Sequence, residues 1–181
     1  MNSNLEIKLL LDTSQLQKIY DLRVIAYENS EQSVHINKTL YPNGWSDELD
    51  EKEDVFHWIV RDNNKLVASA RLVVLENLNE TDGEFEEYSS LIPLERPFVY
   101  WSRLVVHPDY RRKGIRIELD KMRKSFLSKN PHIKFALTSV VETRKKHLLQ
   151  LGFEHLGDTI CDWNGTTRKF CLFLYRNTKT V

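Results

Sequence analysis

A segment that changes from strand-like to basic to helix-like constrains the fold of this chain more than any other. Residues Phe98–Val106 form an apolar, β-rich run, which predicts a strand ending at His107-Pro108-Asp109. Residues Gly114–Leu127 carry apolar side chains at helical spacing and predict an amphipathic helix. A strand joined to a helix by a short loop favours a layered domain in which helices cover a sheet.

Further segments of both kinds surround this one. The other predicted strands are Glu6–Leu11, Val55–Arg61, Leu66–Leu75, Ile133–Ser139, Phe153–Ile160 and Lys169–Tyr175. The other predicted helices begin after Ser14, lie near Phe85–Leu91 and cover Thr143–Leu151. The chain of 181 residues has no Gly/Ser/Pro-rich linker, so we predict a single α/β layered domain with a mixed sheet over residues 1–181.

The composition excludes several classes of protein. Lysines and arginines number 26, as do aspartates and glutamates, so the net charge is zero and neither nucleic acid nor an anionic membrane is an expected partner. No apolar stretch approaches the roughly 20 residues of a membrane span, and the N-terminus lacks a secretion signal. We therefore expect a cytoplasmic protein. The two cysteines, Cys161 and Cys171, show no spacing typical of a disulfide framework or a metal site.

The charges are unevenly distributed along the chain. Residues 28–96 are mostly acidic, whereas residues 103–146 are mostly basic. The basic half includes Arg111, Arg112 and Lys113, directly before Gly114 and the predicted helix. The first N–H groups of a helix favour anions, and glycine lets a ligand approach the backbone, so these residues alone suit either a pyrophosphate site or a purely structural turn.

This loop resembles the donor-binding motif of the GNAT acyltransferase superfamily, in which Arg or Gln, two residues, Gly, one residue and Gly or Ala follow a strand. Arg111 and Gly114 match the pattern and follow the lead-in Val106-His107-Pro108-Asp109-Tyr110. Downstream, Leu151-Gly152-Phe153-Glu154 is similar to the family's helix-to-strand segment. The resemblance covers nearly the whole chain and implies a mostly antiparallel central sheet flanked by helices.

The resemblance also implies an activity and a donor site. The activity is transfer of an acetyl or other acyl group from acyl-coenzyme A to an amine, on a small molecule or a protein, by direct attack on the thioester and without a metal. The implied donor-binding residues are Leu104, Val105, Val106, Arg111, Arg112, Lys113, Gly114, Ile115 and Arg116. The backbone of the first three would pair with the pantetheine arm, and the others would hold phosphates.

Two positions depart from the family pattern. Arg116 stands where the family usually has Gly or Ala, so either the loop is wider or this side chain itself reaches a phosphate. Leu148 stands where many members carry the tyrosine that protonates the departing thiolate. A non-catalytic coenzyme A-binding module is therefore one alternative function.

The strand also resembles that of acyl-homoserine-lactone synthases and N-acyl amino acid synthases. Trp101-Ser102-Arg103-Leu104 is similar to their Ser-Arg segment, although Tyr100 stands where the lactone synthases usually have Glu. These enzymes typically take acyl chains from acyl carrier protein, which is acidic. The basic helix residues Lys121, Arg123 and Lys124 suit such a partner, so a carrier-protein-dependent synthase is a second alternative.

Three residues are candidates for the chemistry of acyl transfer: Tyr100, Ser102 and His147. Strand alternation places Tyr100, Ser102 and Leu104 on one face, and by resemblance this face meets the acceptor. Tyr100 either orients an amine or relays a proton, or it is a half-buried packing residue, and Ser102 is a candidate whose simpler role is to fill the strand. Histidine is the side chain best suited to proton transfer near neutral pH, and His147 is the candidate of this type, although it lies one position from the expected site and could instead be a solvated helix residue.

Structural roles are expected for two other polar residues. Arg103 is predicted to pair with an acidic residue such as Glu142, and His57 is predicted to be a packed core histidine. The acidic segments Asp47–Asp54 and Glu84–Glu87 flank the acceptor side in the family, which predicts an amine-bearing acceptor. The acceptor's identity, the acyl length and the oligomeric state are left open.

Overall fold

The computed structural model describes residues 4–81, 84–163 and 166–177. Its strands are β1 (Leu5–Leu9), β2 (Val55–Asp62), β3 (Lys65–Leu75), β4 (Phe98–Val106), β5 (Phe135–Val140), β6 (Glu154–Trp163) and β7 (Thr166–Arg176). Its α-helices are α1 (Leu16–Glu28), α2 (Ile115–Lys129) and α3 (Lys145–Gln150). Short 3₁₀ helices cover Thr13–Gln15, Glu48–Glu51, Leu78–Thr81, Glu86–Leu91, Pro108–Tyr110 and Glu142–Arg144.

The strands form one seven-stranded mixed sheet in the order β1-β2-β3-β4-β5-β7-β6. The pairs β1–β2, β5–β7 and β6–β7 are antiparallel, and β4–β5 is parallel. The predicted α/β class with a mixed, mostly antiparallel sheet flanked by helices is therefore confirmed. The predicted turn Asn164-Gly165 lies outside the described residues.

The chain forms two compact units, each built from two stretches of sequence. The first contains residues 1–72 and 103–124, and the second contains residues 73–102 and 125–181. The single domain predicted over residues 1–181 stays a prediction. Within the described residues, no helix has both the length and the apolar character needed to cross a bilayer.

In the first unit, α1 packs on the sheet through one apolar face. Leu16, Ile19 and Tyr20 are buried and form a cluster with Ile59 of β2. Burial of a side chain of this size contributes about 1.5–3 kcal/mol, so this contact rather than helix propensity alone holds α1 in place. The 3₁₀ helix Thr13–Gln15, which leads into α1, is capped by Asp12, whose carboxylate accepts a hydrogen bond from the N–H of Ser14 at 3.0 Å.

In the second unit, aromatic side chains fill the core. Phe98 of β4 stacks on Phe135 of β5 with ring centroids 5.2 Å apart, and Trp101 meets Phe153 edge-on at 5.0 Å. Gly152 ends α3 with φ at +90°, a left-handed conformation that suits glycine, as the sequence predicts. This packing fixes the first half of β4 within the second unit.

Candidate active site

The predicted donor loop encloses a cavity of about 450 Å³ in the first unit. The lining residues lie at the end of β4, in the loop and in the first turn of α2: Val106, Tyr110, Arg111, Arg112, Gly114, Ile115, Arg116 and Ile117. Most of the residues predicted to hold phosphates therefore border one shared space. Lys113 does not line the cavity.

The loop backbone adopts two left-handed conformations. The φ angles of Arg112 and Gly114 are +63° and +78°, and left-handed residues in a turn can direct neighbouring N–H groups toward a common point. A Cβ atom added at Gly114 would meet no protein atom within 4 Å. The glycine is therefore needed for its backbone angle, and the space beside it is open to a ligand.

The start of α2 adds the field of a helix N-terminus. The first intrahelical bond runs from the N–H of Ile117 to the carbonyl of Gly114 at 2.9 Å, so the helix begins at the loop. The earliest N–H groups of a helix have no carbonyl partner within it and favour anions. Arg112 and Lys113 are both exposed beside them, and the Nζ atom of Lys113 lies 4.4 Å from the ring centroid of Tyr110. The loop therefore combines backbone donors with cationic side chains.

Arg111 makes its contacts within the protein. Its guanidinium donates to the carbonyls of Asn29 at 2.6 Å and Ala26 at 2.5 Å, at the C-terminal end of α1. Its backbone N–H donates to the carbonyl of Pro108 at 3.2 Å. A cation at the C-terminus of a helix is favourable, so these contacts tie the loop to α1.

The strand β4 changes conformation as it reaches the loop. Its pairing with β5 covers Val99–Trp101, and at Arg103 the φ angle is +53°. A left-handed residue interrupts a regular strand, so the simple alternation predicted for Tyr100, Ser102 and Leu104 does not extend past Arg103. The sequence pattern could not reveal this break, because the alternation of apolar residues does not encode φ.

The three predicted donor residues of β4 differ in exposure. Val105 is buried and packs with Leu22 and Ala26 of α1, whereas Leu104 and Val106 are half-buried. Val105 could therefore contact a ligand only through its backbone, because its side chain is buried. The N–H of His107, just past the strand, donates to the carbonyl of Val67 at 2.8 Å.

Arg103 pairs with Asp47 and not with Glu142, so that prediction was wrong. Its Nε donates to Oδ2 of Asp47 at 2.8 Å, and its NH2 bonds the same oxygen. The guanidinium also lies over the ring of Trp45, 4.1 Å from the centroid. The partner lies 56 residues away in sequence, in the segment before β2, and the left-handed backbone of Arg103 directs its side chain there.

This ion pair is the outer end of a buried network. The guanidiniums of Arg23 and Arg71 both bond the carboxylate of Asp50, at 2.6 and 2.8 Å, and all three side chains are at most 1% exposed. Arg71 also donates to Oδ2 of Asp47 at 3.1 Å, and Asp47 bonds Arg103. We call these five residues the ion network.

Burial alone would raise the pKa of both carboxyl groups of the ion network. The charge and hydrogen bonds of Arg103 and Arg71 outweigh burial and hold the pKa of Asp47 well below its usual range. For Asp50, burial is outweighed by Arg23 and then Arg71, and its pKa is also lowered. Both carboxylates are therefore ionised at neutral pH and are engaged by arginine, so the acidic segment 47–54 contributes less to an acceptor surface than predicted.

His57 lies beside the ion network. It is 5% exposed, and its Nε2 lies 3.1 Å from the carbonyl oxygen of Asp50. Burial is the main cause that lowers its pKa. The prediction of a packed core histidine is confirmed.

Tyr100 of β4 carries a hydrogen-bonded hydroxyl in the second unit. The hydroxyl donates to Oε2 of Glu84 at 2.8 Å, and the ring meets Phe85 edge-on with centroids 6.1 Å apart. Tyr100 is 8% exposed and Glu84 is half-buried. A phenol that donates to a carboxylate, with limited access to water, is suited to hold or pass a proton.

The two other catalytic candidates lie on different elements. Ser102 is half-buried on β4, two residues beyond Tyr100, and His147 is half-buried on α3. Leu148, beside His147, is 1% exposed. A side chain at position 148 therefore points into the core, which explains why an apolar residue is accepted there.

A sequence model described as the acetyltransferase (GNAT) family matches residues 16–116, more than half of the chain. The chain belongs to the GNAT family. This span includes α1, the ion network, β4 and the complete donor loop. No curated protein matches the chain in a sequence comparison.

Solved structures share the GNAT fold with this chain at low sequence identity. FeeM, an N-acyl amino acid synthase from uncultured soil microbes, has a TM-score of 0.70 and 9% identity, covering 97% of this chain and 92% of its own. The ribosomal-protein-S18-alanine N-acetyltransferase from Escherichia coli has a TM-score of 0.65 and 14% identity, covering 98% and 96%. Arabidopsis thaliana NAA60 in complex with acetyl-CoA has a TM-score of 0.62 and 17% identity, covering 96% and 98%.

The basic surface predicted on α2 of this GNAT domain is smaller than its sequence indicates. Arg123 is 1% exposed and donates to Asp120 and to the carbonyl of Arg71. Lys121 is exposed but pairs with Glu118 at 2.7 Å, and Lys124 is half-buried. The three residues do not form the open basic face that was expected for an acidic carrier protein.

Sequence reasoning missed two hydrogen-bond partners of β4 residues, Glu84 and Asp47. Both were grouped with the acidic segments, and neither was assigned to a particular basic or hydroxyl side chain. A usable signal was the clustering of acidic residues before β2 and between β3 and β4, where loops return to the sheet. The pairing itself depends on contacts 16 and 56 residues apart in sequence.

Proposed function

We propose that this GNAT domain transfers an acyl group from acyl-coenzyme A to an amine. The observation that carries the proposal is the cavity at the start of α2, where left-handed residues, helix N–H groups and exposed cations surround one space. Such a combination suits a pyrophosphate. An acetyl group is the proposed acyl group, and the cytoplasm, where acyl-coenzyme A is used, is the proposed location.

The donor-site residues then have distinct roles. Gly114 and Ile115 offer the backbone, Arg112, Lys113 and Arg116 supply charge for the phosphates, and Arg111 positions the loop on α1. Arg116, which replaces the family's small residue, lines the cavity and can therefore act on a phosphate with its own side chain. Beyond the β5 pairing, Leu104, Val105 and Val106 offer backbone groups to the pantetheine arm in the manner of an added strand.

The reaction needs no covalent enzyme intermediate. The neutral amine attacks the thioester carbonyl, the new C–N bond forms, and the tetrahedral intermediate then breaks its C–S bond to release the thiolate. A backbone N–H of β4 that donates to the thioester oxygen would stabilise the oxyanion, and one such donor contributes roughly 3 kcal/mol in other enzymes. The amine loses one proton and the thiolate gains one.

Tyr100 and Glu84 are the proposed proton-handling pair. The Glu84 carboxylate can accept the amine proton, directly or through water, while the Tyr100 hydroxyl holds that carboxylate in place. Tyr100 can also return a proton to the thiolate and recover it from Glu84. His147 is a weaker candidate for the same step, and Ser102 is assigned only to line the strand.

The proposed acceptor carries an amine on a small molecule or a protein. Glu86 and Glu87 are exposed next to the half-buried Glu84, which gives the second unit a negative surface suited to a cation. Among the fold relatives, one is named for the alanine of ribosomal protein S18 and another as an N-acyl amino acid synthase. Both kinds of acceptor bear an amine.

Calorimetric titration with coenzyme A tests the donor site. Gly114→Glu places a carboxylate in the cavity and should abolish binding. Gly114→Ala is the matched control, since it shares the backbone strain of a left-handed side chain, about 1–2 kcal/mol, but adds no charge and meets no protein atom. Unchanged affinity in Gly114→Glu would refute the donor site.

A turnover assay separates the three candidate functions. The proposed enzyme uses acetyl-coenzyme A or another acyl-coenzyme A with amines. A carrier-protein-dependent synthase would require acyl carrier protein, and a binding module would bind coenzyme A without turnover. Either of these results would overturn the proposed activity while leaving the donor site intact.

A further inference from the structure

We propose that His155, Asp158, Cys171 and Glu142 form a binding site for a divalent transition-metal ion, with Zn²⁺ as the preferred ion. All four residues belong to the second unit. The site shares no residue with the proposed transferase chemistry, and its role would be structural. The donor atoms of His155, Asp158 and Cys171 all lie within 4.8 Å of one another.

The geometry of β6 brings two of the ligands together. His155 and Asp158 are three residues apart, so a regular strand would point them to opposite faces. A register shift between His155 and Gly157 inserts one extra residue into β6, so that His155 and Asp158 lie on the same face of the sheet. As a result, Nε2 of His155 lies 2.9 Å from Oδ1 of Asp158.

The third ligand comes from the neighbouring strand. Cys171 of β7 is the direct cross-strand partner of Asp158. Its side chain is fully buried, and its sulfur lies in the same group of donor atoms as the imidazole and the carboxylate. The thiol is a free cysteine in the structure.

Glu142 supplies the fourth donor from the 3₁₀ helix before α3. The Cys171 thiol donates to its Oε2 at 2.9 Å. In a tetrahedral zinc site the metal–ligand bonds of about 2.0–2.3 Å place neighbouring donor atoms roughly 3.3–3.8 Å apart. The donor atoms of His155, Asp158 and Cys171 lie within 4.8 Å of one another, and Glu142 lies 2.9 Å from the Cys171 sulfur, so small side-chain adjustments would bring each of these pairs to that spacing.

The present contacts leave the required atoms available. Lys169 bonds Oδ2 of Asp158 at 2.6 Å, so Oδ1 is the oxygen that faces the cluster. Lys145 is only 4.0 Å from the other oxygen of Glu142. Metal binding would replace the thiol proton that Cys171 now donates to Glu142, and this proton would be released to solvent. His155 would bind through Nε2 with its proton on Nδ1.

The donor set determines the type of metal. One imidazole nitrogen, one thiolate and two carboxylate oxygens suit Zn²⁺, whereas Mg²⁺ and Ca²⁺ take oxygen ligands. Four protein ligands leave no open position, which is typical of structural sites. The ion would join the edge strand β6 and its partner β7 to the segment that leads into α3.

Zinc and cobalt titrations of the full chain, first stripped with a chelator, test the site. One equivalent of Zn²⁺ should bind and should raise the unfolding midpoint relative to chelated protein. Co²⁺, as a spectroscopic substitute, should show the thiolate charge-transfer absorption and the strong visible bands of a tetrahedral site. Removal of Zn²⁺ should leave coenzyme A affinity unchanged, which keeps this test independent of the proposed function.

Matched variants locate the bound ion. His155→Gln should weaken Zn²⁺ binding by at least the roughly 10–100-fold that outer-sphere partners contribute, and Cys171→Ser should remove the thiolate absorption. His132→Gln, at an exposed histidine, and Cys161→Ser should change neither. If Cys171→Ser fails to fold, Asp158→Asn takes its place. Absence of Zn²⁺ binding, or binding that survives His155→Gln and Asp158→Asn, would overturn the proposal.

Discussion

The ion network and the donor loop place cationic side chains in opposite environments. In the ion network, Arg23 and Arg71 are at most 1% exposed and each bonds the carboxylate of Asp50. In the donor loop, Arg112 and Lys113 are exposed beside an open cavity. Both regions lie in the first unit. The sequence pattern identified the carboxylates of the ion network and the cations of the donor loop as runs of charge, but it gave no role to Arg23 or Arg71.

The difference shows that position in the fold, rather than charge count, decides what an arginine does. A buried guanidinium must be paired, because an uncompensated buried charge costs several kcal/mol. An exposed cation keeps most of its hydration and can exchange water for a phosphate ligand. We therefore expect changes in the ion network to affect folding and changes in the donor loop to affect binding.

The largest expected effect is that of Asp50→Ala. It leaves Arg23 and Arg71 buried without their shared carboxylate, and the loss of one partner of a buried ion pair costs about 3–5 kcal/mol. Urea unfolding should show this decrease in the free energy of unfolding. The control Glu48→Ala removes an exposed carboxylate from the same 3₁₀ helix and should change stability by less than about 0.5 kcal/mol.

Equal stability of Asp50→Ala and Glu48→Ala would show that the buried arginines do not need this carboxylate. The expectation that the ion network affects folding whereas the donor loop affects binding would then be wrong. A folded Asp50→Ala protein that had lost coenzyme A binding but not stability would instead assign the ion network to the donor site.

The next largest effect is expected at Tyr100, which is 8% exposed and whose hydroxyl is hydrogen-bonded to Glu84. Tyr100→Phe removes the hydrogen bond to Glu84 and should lower turnover by up to about 10²-fold, the lower end of the range for general acid–base catalysis. His147→Gln should lower it less, because a thiolate is already a tolerable leaving group. Steady-state rates across pH, with coenzyme A affinity as the control, measure both.

A different outcome would reverse the assignment. If His147→Gln removed both an ionisation near neutral pH and most of the activity while Tyr100→Phe was silent, His147 would be the proton-transfer group. Leu148→Tyr should raise turnover little, since the 1% exposed position directs a tyrosine into the core rather than toward the thiolate, and overpacking costs about 1–3 kcal/mol.

The fold was largely predictable, and the site only in part. The hairpin of β2 and β3, the helices α1 and α2 and the donor loop follow from periodicity and turn residues that are local in sequence. The partners of Arg103, Tyr100 and Cys171 come from distant segments, and a left-handed residue in β4 and a register shift in β6 decide where side chains point. Neither backbone irregularity has a signature in the alternation of apolar residues.

A smaller decrease in the free energy of unfolding is expected when the pH is lowered. The arginines hold the pKa of Asp47 and Asp50 below the ordinary value of about 3.9 that unfolding restores. The resulting stability is therefore present above about pH 4 and is lost as the pH falls below it, by about 2 kcal/mol for one such carboxylate. Urea unfolding from pH 7 to pH 2 should show this decline.

Asp50→Asn tests the origin of the acid sensitivity. The variant should be less stable at neutral pH and should lose less further stability in acid, because one of the two depressed carboxyl groups is gone. A decline in acid as steep as that of the unmodified chain would assign the sensitivity to other groups.

The smallest expected effect is that of Arg112→Gln in the donor loop. Loss of one exposed cation beside a helix N-terminus should weaken coenzyme A binding by about 0.3–1 kcal/mol, or roughly two- to fivefold, without a change in stability. The difference should shrink at high salt. Lys146→Gln, at an exposed lysine of α3, should have no effect on affinity.

The contact of Arg111 with the end of α1 has a consequence for local motion. Its guanidinium holds the carbonyls of Ala26 and Asn29, so fraying of the last turn of α1 requires the loop to release them. A donor that orders the loop should therefore slow amide hydrogen exchange at the C-terminus of α1, a segment that need not touch the donor. In Arg111→Gln that protection should disappear even at saturating coenzyme A.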